Sequence, residues 1–105
     1  MNTELERWIE LLEAAWSIPD GFLGQVREGK YDQAKGSEFI AMLNTITVPD
    51  DERSIDRRLV SLLWYIPSFL DWQTERVAEV GGDTDALQRQ TDQIRAVLEN
   101  ILGAP

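Results

Sequence analysis

Apolar residues recur at spacings of three and four along most of this chain, and proline or glycine interrupts the pattern several times. A period of about 3.6 residues predicts amphipathic α-helices. The first helix should end before Ile18-Pro19, because a residue that precedes proline avoids the α conformation. Gly29 and Gly81-Gly82 predict two further stops. The chain is therefore expected to be a series of helices.

The first and last helices have the clearest apolar stripes. The first stripe consists of Leu5, Trp8, Ile9, Leu12, Ala15 and Trp16. The last consists of Leu87, Ile94, Val97, Leu98, Ile101 and Leu102. Asp83 or Thr84 is the expected N-cap of the last helix, since both side chains can accept a hydrogen bond from a free backbone N–H.

Between these helices the pattern is less regular. Residues 30–36 are expected to form a loop, and Ser37 is the expected cap of a third helix. The β-branched stretch 45–48 is expected to be a helix end and linker, because no partner strand is apparent to satisfy a lone strand's hydrogen bonds.

The most hydrophobic segment follows, with Ser54 as its expected cap. Pro67 interrupts it, because proline lacks an N–H and clashes with the preceding turn. We expect a kink there rather than a break, with the helix continuing to Val80. Residues 1–105 are thus predicted to form one all-α domain, an antiparallel bundle of four or five helices with one kinked or broken at Pro67.

The chain of 105 residues contains neither cysteine nor histidine. Thiolate chemistry, the usual general base near neutral pH and the commonest zinc ligand are therefore excluded. Its 19 acidic residues provide many chance carboxylate pairs, but none lies in an apolar run that would raise its pKa. We expect no catalytic residue, no cofactor site and no metal site.

The formal net charge is −9. Nucleic acid and anionic membranes are disfavoured as partners, because both would repel this charge. A basic protein is the complementary partner, although acidity also serves solubility alone. No apolar run is long enough to span a membrane, and the N-terminal residues are acidic where a signal peptide is basic. A cytoplasmic location is expected.

Acidic residues are concentrated in the stretch from residue 71 to residue 85, where Arg76 is the sole base. These acids are Asp71, Glu75, Glu79, Asp83 and Asp85. On a helix, Trp72 shares a side with Glu75 and Glu79, as an anchor for a cationic partner would. The alternative is that Trp72 packs beneath a neighbouring helix.

A second acidic group is formed by Asp50, Asp51 and Glu52. We predict that both groups belong to a protein-binding surface. The nearby bases Arg53, Arg57 and Arg58 are interpreted first as a local salt-bridge cluster and second as a positive spot within that surface.

Two parts of the sequence carry a family resemblance, residues 22–32 with 39–43 and residues 55–67. They resemble the small helical immunity proteins of bacterial contact-dependent growth inhibition and related polymorphic toxin systems. The resemblance implies a cytoplasmic antitoxin that binds the C-terminal toxin domain of a secreted effector, often a basic nuclease. It implies no catalytic residue, and it assigns no contact residue.

Two other functions remain open. The chain would be a DNA mimic if it inhibited nucleic-acid-binding enzymes in general. It would be a self-associating adaptor if Val60, Trp64 and Trp72 formed a contact between copies. Catalysis ranks last among the hypotheses.

Overall fold

The computed structural model of the chain describes residues 3–48 and 53–105. Its helices are Thr3–Trp16 (α1), Phe22–Arg27 (α2), Gln33–Leu43 (α3), Arg57–Leu63 (α4), Ile66–Glu79 (α5) and Thr84–Leu102 (α6). No strand is present in the two described ranges, and residues 44–48 form a turn and linker as predicted. α4 and α5 are two parts of the one hydrophobic segment that the sequence predicted to be interrupted, so the six helices correspond to five predicted ones. The predicted all-α bundle is therefore confirmed.

The interruption in that segment is a break, not the kink that we expected. α4 ends at Leu63 and α5 begins at Ile66, so the break precedes Pro67. Pro67 lies in the first turn of α5, where a missing backbone N–H removes no helical hydrogen bond. The helix can therefore restart immediately before the proline.

The predicted cap of α3 is wrong. Asp32 precedes the helix, and its carboxylate accepts a hydrogen bond from the Lys35 backbone N–H at 3.2 Å. Ser37 lies within α3, and part of the predicted loop is helical. Because α3 starts earlier than predicted, Gly36 lies inside the helix. There it packs against Gln90 of α6.

The predicted cap of α4 is also wrong. Asp56, not Ser54, precedes this helix and accepts a hydrogen bond from the Arg58 backbone N–H at 2.8 Å. The same carboxylate pairs with the Arg58 side chain. The Asp56 carboxylate thus both caps the helix and pairs with a side chain in its first turn, which explains why α4 begins immediately after it.

The predicted helix ends are confirmed. α1 stops at Trp16, before Pro19, and Gly29 follows α2 with a positive φ of 83°. After α5, Gly81 has a φ of 81°, and the Gly82 N–H donates to the Val77 carbonyl at 2.9 Å. This Schellman-type end suits glycine, because a residue with a Cβ is strained at positive φ.

The core lies around α6, which packs against both α3 and α5. α2 contacts α1, α3 and α5, and α4 packs on α1. A short loop joins α5 to α6, and an ion pair links Asp71 to Arg95, so these two helices run antiparallel. The largest fully buried side chains are Leu12, Leu23, Leu43, Leu59, Leu63, Ile66, Leu70, Leu87, Ile94, Val26, Val77 and Thr91.

One polar network lies at the contact between α3 and α6. The Tyr31 hydroxyl donates to Gln90 Oε1 at 2.5 Å, and Gln90 Nε2 donates to the Gln33 carbonyl at 3.0 Å and to Ser37 Oγ at 3.2 Å. A Cβ at Gly36 would lie 2.0 Å from Gln90 Oε1. The absent side chain of Gly36 therefore makes room for the buried amide, whose hydrogen bonds connect α6 to the start of α3.

We expect Gln90→Ala to lower the free energy of unfolding by about 1–3 kcal/mol, because it leaves a void and removes the amide's hydrogen bonds. Gln88→Ala is the matched control: Gln88 is exposed on the same helix and bonds only Asp92 among the described residues. It should change stability by less than about 0.5 kcal/mol. Urea denaturation measures both, and equal losses would show that the network contributes nothing.

The same network predicts a loss of stability at high pH. Burial, reinforced by the nearby charge of Asp83, raises the pKa of Tyr31 from 10.0 to about 12. Because the unfolded chain loses this proton first, the stabilisation is complete below pH 10 and declines as pH rises towards 12. Tyr31→Phe lacks this ionisation. The unfolding free energy of wild type minus that of Tyr31→Phe should therefore fall as pH rises from about 10 towards 12. A constant difference would contradict the assignment.

Candidate protein-binding surface

The outer face of α5 carries an exposed tryptophan and two exposed glutamates. Trp72 is 75% exposed, which excludes its packing beneath a neighbouring helix within the described structure. Glu75 and Glu79 follow at spacings of three and four residues, so they lie on the same side of the helix. The opposite face of α5 is buried through Ile66, Phe69, Leu70 and Val77. Trp72, Glu75 and Glu79 are called the α5 surface below.

The glutamates of the α5 surface have no counter-ion in the part of the chain that the structure describes. No hydrogen bond or ion pair engages Glu75 or Glu79 within residues 3–48 and 53–105. Arg76, the nearest base in sequence, instead donates from Nη1 to the Arg27 carbonyl of α2 at 3.0 Å. Like charges one helical turn apart destabilise a helix by a few tenths of a kcal/mol. A cationic partner would relieve that repulsion.

Two other predicted site residues have structural partners. Asp71 pairs with Arg95 of α6, and Arg95 also contacts Asp92 at 3.0 Å. The Asp83 carboxylate accepts a hydrogen bond from the Ala86 N–H at 3.0 Å, so it is the N-cap of α6 as predicted. Sequence proximity alone could not show Arg95, because the fold brings it from a different helix.

The second predicted acidic group, Asp50, Asp51 and Glu52, lies outside the described residues. Of the neighbouring bases, Arg58 contacts Glu6 of α1 at 2.7 Å and Asp56 at 3.4 Å. Hydrogen bonds from Arg58 lower the pKa of Asp56. Within the described residues the salt-bridge cluster therefore forms at Arg58 alone, where it links α4 to α1. Arg53 and Arg57, which were expected to pair with Asp50, Asp51 or Asp56, have no ion pair in the described ranges.

Apolar clefts open on other parts of the molecule. Two adjoining clefts of about 590 and 250 Å³ lie between α1 and α3 and share Leu11 and Met42. Their rims carry both signs of charge, for example Glu4 and Arg7 in the larger cleft. This mixed rim favours no particular class of charged ligand.

Within the described ranges, no three acidic residues are placed to hold a metal ion, the chain having no histidine or cysteine. No helix there is both long and apolar enough to cross a bilayer. The arrangement of α5 is suited to contact with a charged macromolecule, because it combines a large aromatic surface with uncompensated carboxylates.

Sequence reasoning missed the network around Gln90, although a signal for it exists. Gln90 lies one turn from both Leu87 and Ile94, on the apolar face of α6, and is only 5% exposed. A polar residue in the middle of such a stripe predicts a buried hydrogen-bonding role. Finding Tyr31 as its partner required the fold.

No family model, curated protein or solved structure matches this chain. The resemblance to immunity proteins therefore stays a prediction. What the chain binds must be inferred from the chemistry of its own surface.

Substitution of the acidic residues should affect stability differently in α5 and in the loop that follows it. Asp83→Ala should lower the free energy of unfolding by about 1 kcal/mol, because it removes the cap of α6. Glu75→Gln and Glu79→Gln should leave stability unchanged or raise it by a few tenths of a kcal/mol, because each removes a like charge. Thermal unfolding of the three variants measures this, and a large loss in either glutamine variant would assign that glutamate a structural role.

Proposed function

We propose that this chain binds a basic protein through the α5 surface and that it acts as an immunity protein. Its partner would be the toxin domain of a secreted effector, and binding would neutralise that domain by covering part of it. The observation that carries the proposal is the exposure of Trp72 beside Glu75 and Glu79, which have no counter-ion among the described residues.

The overall charge supports a cationic partner. At a net charge of −9 the chain attracts basic proteins over a long range, and complementary charge raises association rates by orders of magnitude. Rapid capture is what neutralisation of a toxin requires. A nuclease is one suitable class, because its active site is cationic in order to hold phosphates.

The exposed side chain of Trp72 supports a specific contact with the partner, in addition to long-range electrostatic attraction. Tryptophan is enriched among the residues that dominate binding energy, because it buries a large area and interacts with cations through its ring. Trp72 can therefore contact a lysine or arginine side chain while the neighbouring glutamates pair with others. The resemblance to immunity proteins agrees with this arrangement, and with it we propose a cytoplasmic location and a non-catalytic role.

Affinity capture from the source cell tests the proposal with a matched pair of variants. Glu75→Lys/Glu79→Lys reverses the α5 surface, and Glu10→Lys/Glu13→Lys reverses two exposed glutamates of α1. Both variants have a net charge of −5 instead of −9, because each exchanges two negative charges for two positive ones. We expect one basic protein to be retained by wild type and by the α1 variant and to be lost from the α5 variant.

Growth measurements then test neutralisation. Expression of the captured protein's C-terminal domain alone should arrest growth, and co-expression of wild type should restore it. Co-expression of the α5 variant should not. A captured protein that is retained equally by both variants would show that the α5 surface is not the interface, and a harmless captured domain would exclude the immunity role.

Self-association is the second candidate, favoured by the exposure of Trp64 at 60% together with that of Trp72. It predicts a sedimentation coefficient that rises with protein concentration and a dimer that is lost in Trp64→Ala.

The DNA-mimic hypothesis differs from both, because it predicts capture of many DNA-binding proteins and competition by DNA.

A further inference from the structure

A second exposed tryptophan lies beside an apolar groove between the start of α5 and the end of α6. The groove has a volume of about 310 Å³, and its walls include Trp64, Pro67, Leu98 and Leu102. We call it the Trp64 groove. Trp64 is 60% exposed, and its ring lies 5.4 Å from the ring of Tyr65. Tyr65 in turn packs towards Phe69 at 6.3 Å, so one side of Trp64 is supported and the other faces solvent.

The exposure of Trp64 contrasts with the partial burial of Trp16. Trp16 lies 4.9 Å from the Phe69 ring, and its Nε1 donates to the Leu62 carbonyl at 3.0 Å. Trp64 has no such hydrogen bond within the described structure. A large apolar side chain left outside the core beside a concave apolar surface is typical of an interaction site.

The Trp64 groove and the α5 surface lie at different positions around α5. Pro67 lines the groove, and Trp72 follows five residues later on the same helix, about 7.5 Å along the axis and about 140° around it. The ion pair between Asp71 and Arg95 lies between them, since Asp71 neighbours Trp72 and Arg95 lines the groove. A ligand long enough to cross the exposed face of α5 from Pro67 past Asp71 to Trp72 can contact both regions.

The charge around the groove selects the occupant. Arg95 is neutralised by Asp71 and Asp92, whereas Glu99 at the groove is exposed. Among the described residues of the α5 surface and the Trp64 groove, the charged side chains without an ion pair are therefore Glu75, Glu79 and Glu99. A second copy of the chain would bring its own net charge of −9 to this surface, which opposes association of two copies.

We infer that the α5 surface and the Trp64 groove together hold a cationic amphipathic segment of the partner. Its apolar side chains occupy the Trp64 groove, and its lysine or arginine side chains contact Trp72, Glu75 and Glu79. This inference rests on the proposed function, since it specifies which chemistry the basic partner presents. A helix with one apolar and one basic face has this chemistry.

The four tryptophans allow each region to be observed separately by NMR. The indole N–H of Trp64 reports on the Trp64 groove, that of Trp72 on the α5 surface, and that of Trp8 on the larger cleft between α1 and α3. Trp16 is the internal reference, because its N–H is hydrogen-bonded within the fold. Single Trp→Phe variants assign the four signals.

Three synthetic peptides of equal length serve as probes: an amphipathic leucine–lysine helix, a lysine–serine peptide of the same charge and a leucine–glutamate helix. The leucine–lysine peptide should shift the signals of both Trp64 and Trp72. The lysine–serine peptide should shift Trp72 alone, and the leucine–glutamate peptide neither. Trp64→Ala should weaken binding of the leucine–lysine peptide on the order of tenfold and leave that of the lysine–serine peptide unchanged. Ile18→Ala, at an exposed apolar residue between α1 and α2, is the matched control and should change neither.

Binding at the Trp64 groove and binding at the α5 surface can be distinguished by which indole signals move. If the leucine–lysine peptide shifts Trp72 but not Trp64, or shifts Trp8 instead, the inference about the groove is overturned while the proposed charge of the partner stands. If neither lysine peptide shifts Trp72, the proposed function itself fails. If the Trp64 signal moves as protein concentration rises without any peptide, the groove holds a second copy and the inference is overturned.

Discussion

The close approach of α3 to α6 at Gly36 and Gln90 is the contact on which the rest of the structure depends. Only a residue without a side chain leaves room there for the buried amide of Gln90, and the amide bonds the Gln33 carbonyl, Ser37 and the Tyr31 hydroxyl. These bonds fix α6 from one side. α5 packs on α6 from another and buries its apolar face, so the outward direction of Trp72, Glu75 and Glu79 follows from how α6 is held.

This arrangement divides the acidic residues by role. Asp32, Asp56 and Asp83 cap helices, and Asp71 pairs with a base from another helix. Glu75 and Glu79 do neither within the described residues. Folding therefore gains nothing from the charge of these two, and their repulsion opposes it slightly. A surface of this kind is consistent with selection for binding, which is the basis of the proposal that a cationic protein covers it.

Sequence periodicity and breaking residues were sufficient to predict the helical bundle and the ends at Trp16, Gly29 and Gly81. They were insufficient for the starts of α3 and α4, because serine and aspartate cap helices about equally well and the choice depended on contacts with Gln90 and Arg58. The α5 surface could be predicted because Trp72, Glu75 and Glu79 share one helix. The Asp71–Arg95 pair and the Trp64 groove could not, since each combines residues of α6 with residues that lie at least 24 positions earlier.

In the proposed function, uncompensated charge on α5 drives association with a cationic protein. The decisive measurement is the association rate constant with the captured partner, obtained by stopped flow across a range of salt concentrations. The association rate of wild type should fall steeply as salt rises, and that of Glu10→Lys/Glu13→Lys should behave nearly the same. Glu75→Lys/Glu79→Lys should associate slowly at low salt, with little salt dependence. Equal rates and equal salt dependence for the two charge-reversed variants would contradict the proposed function.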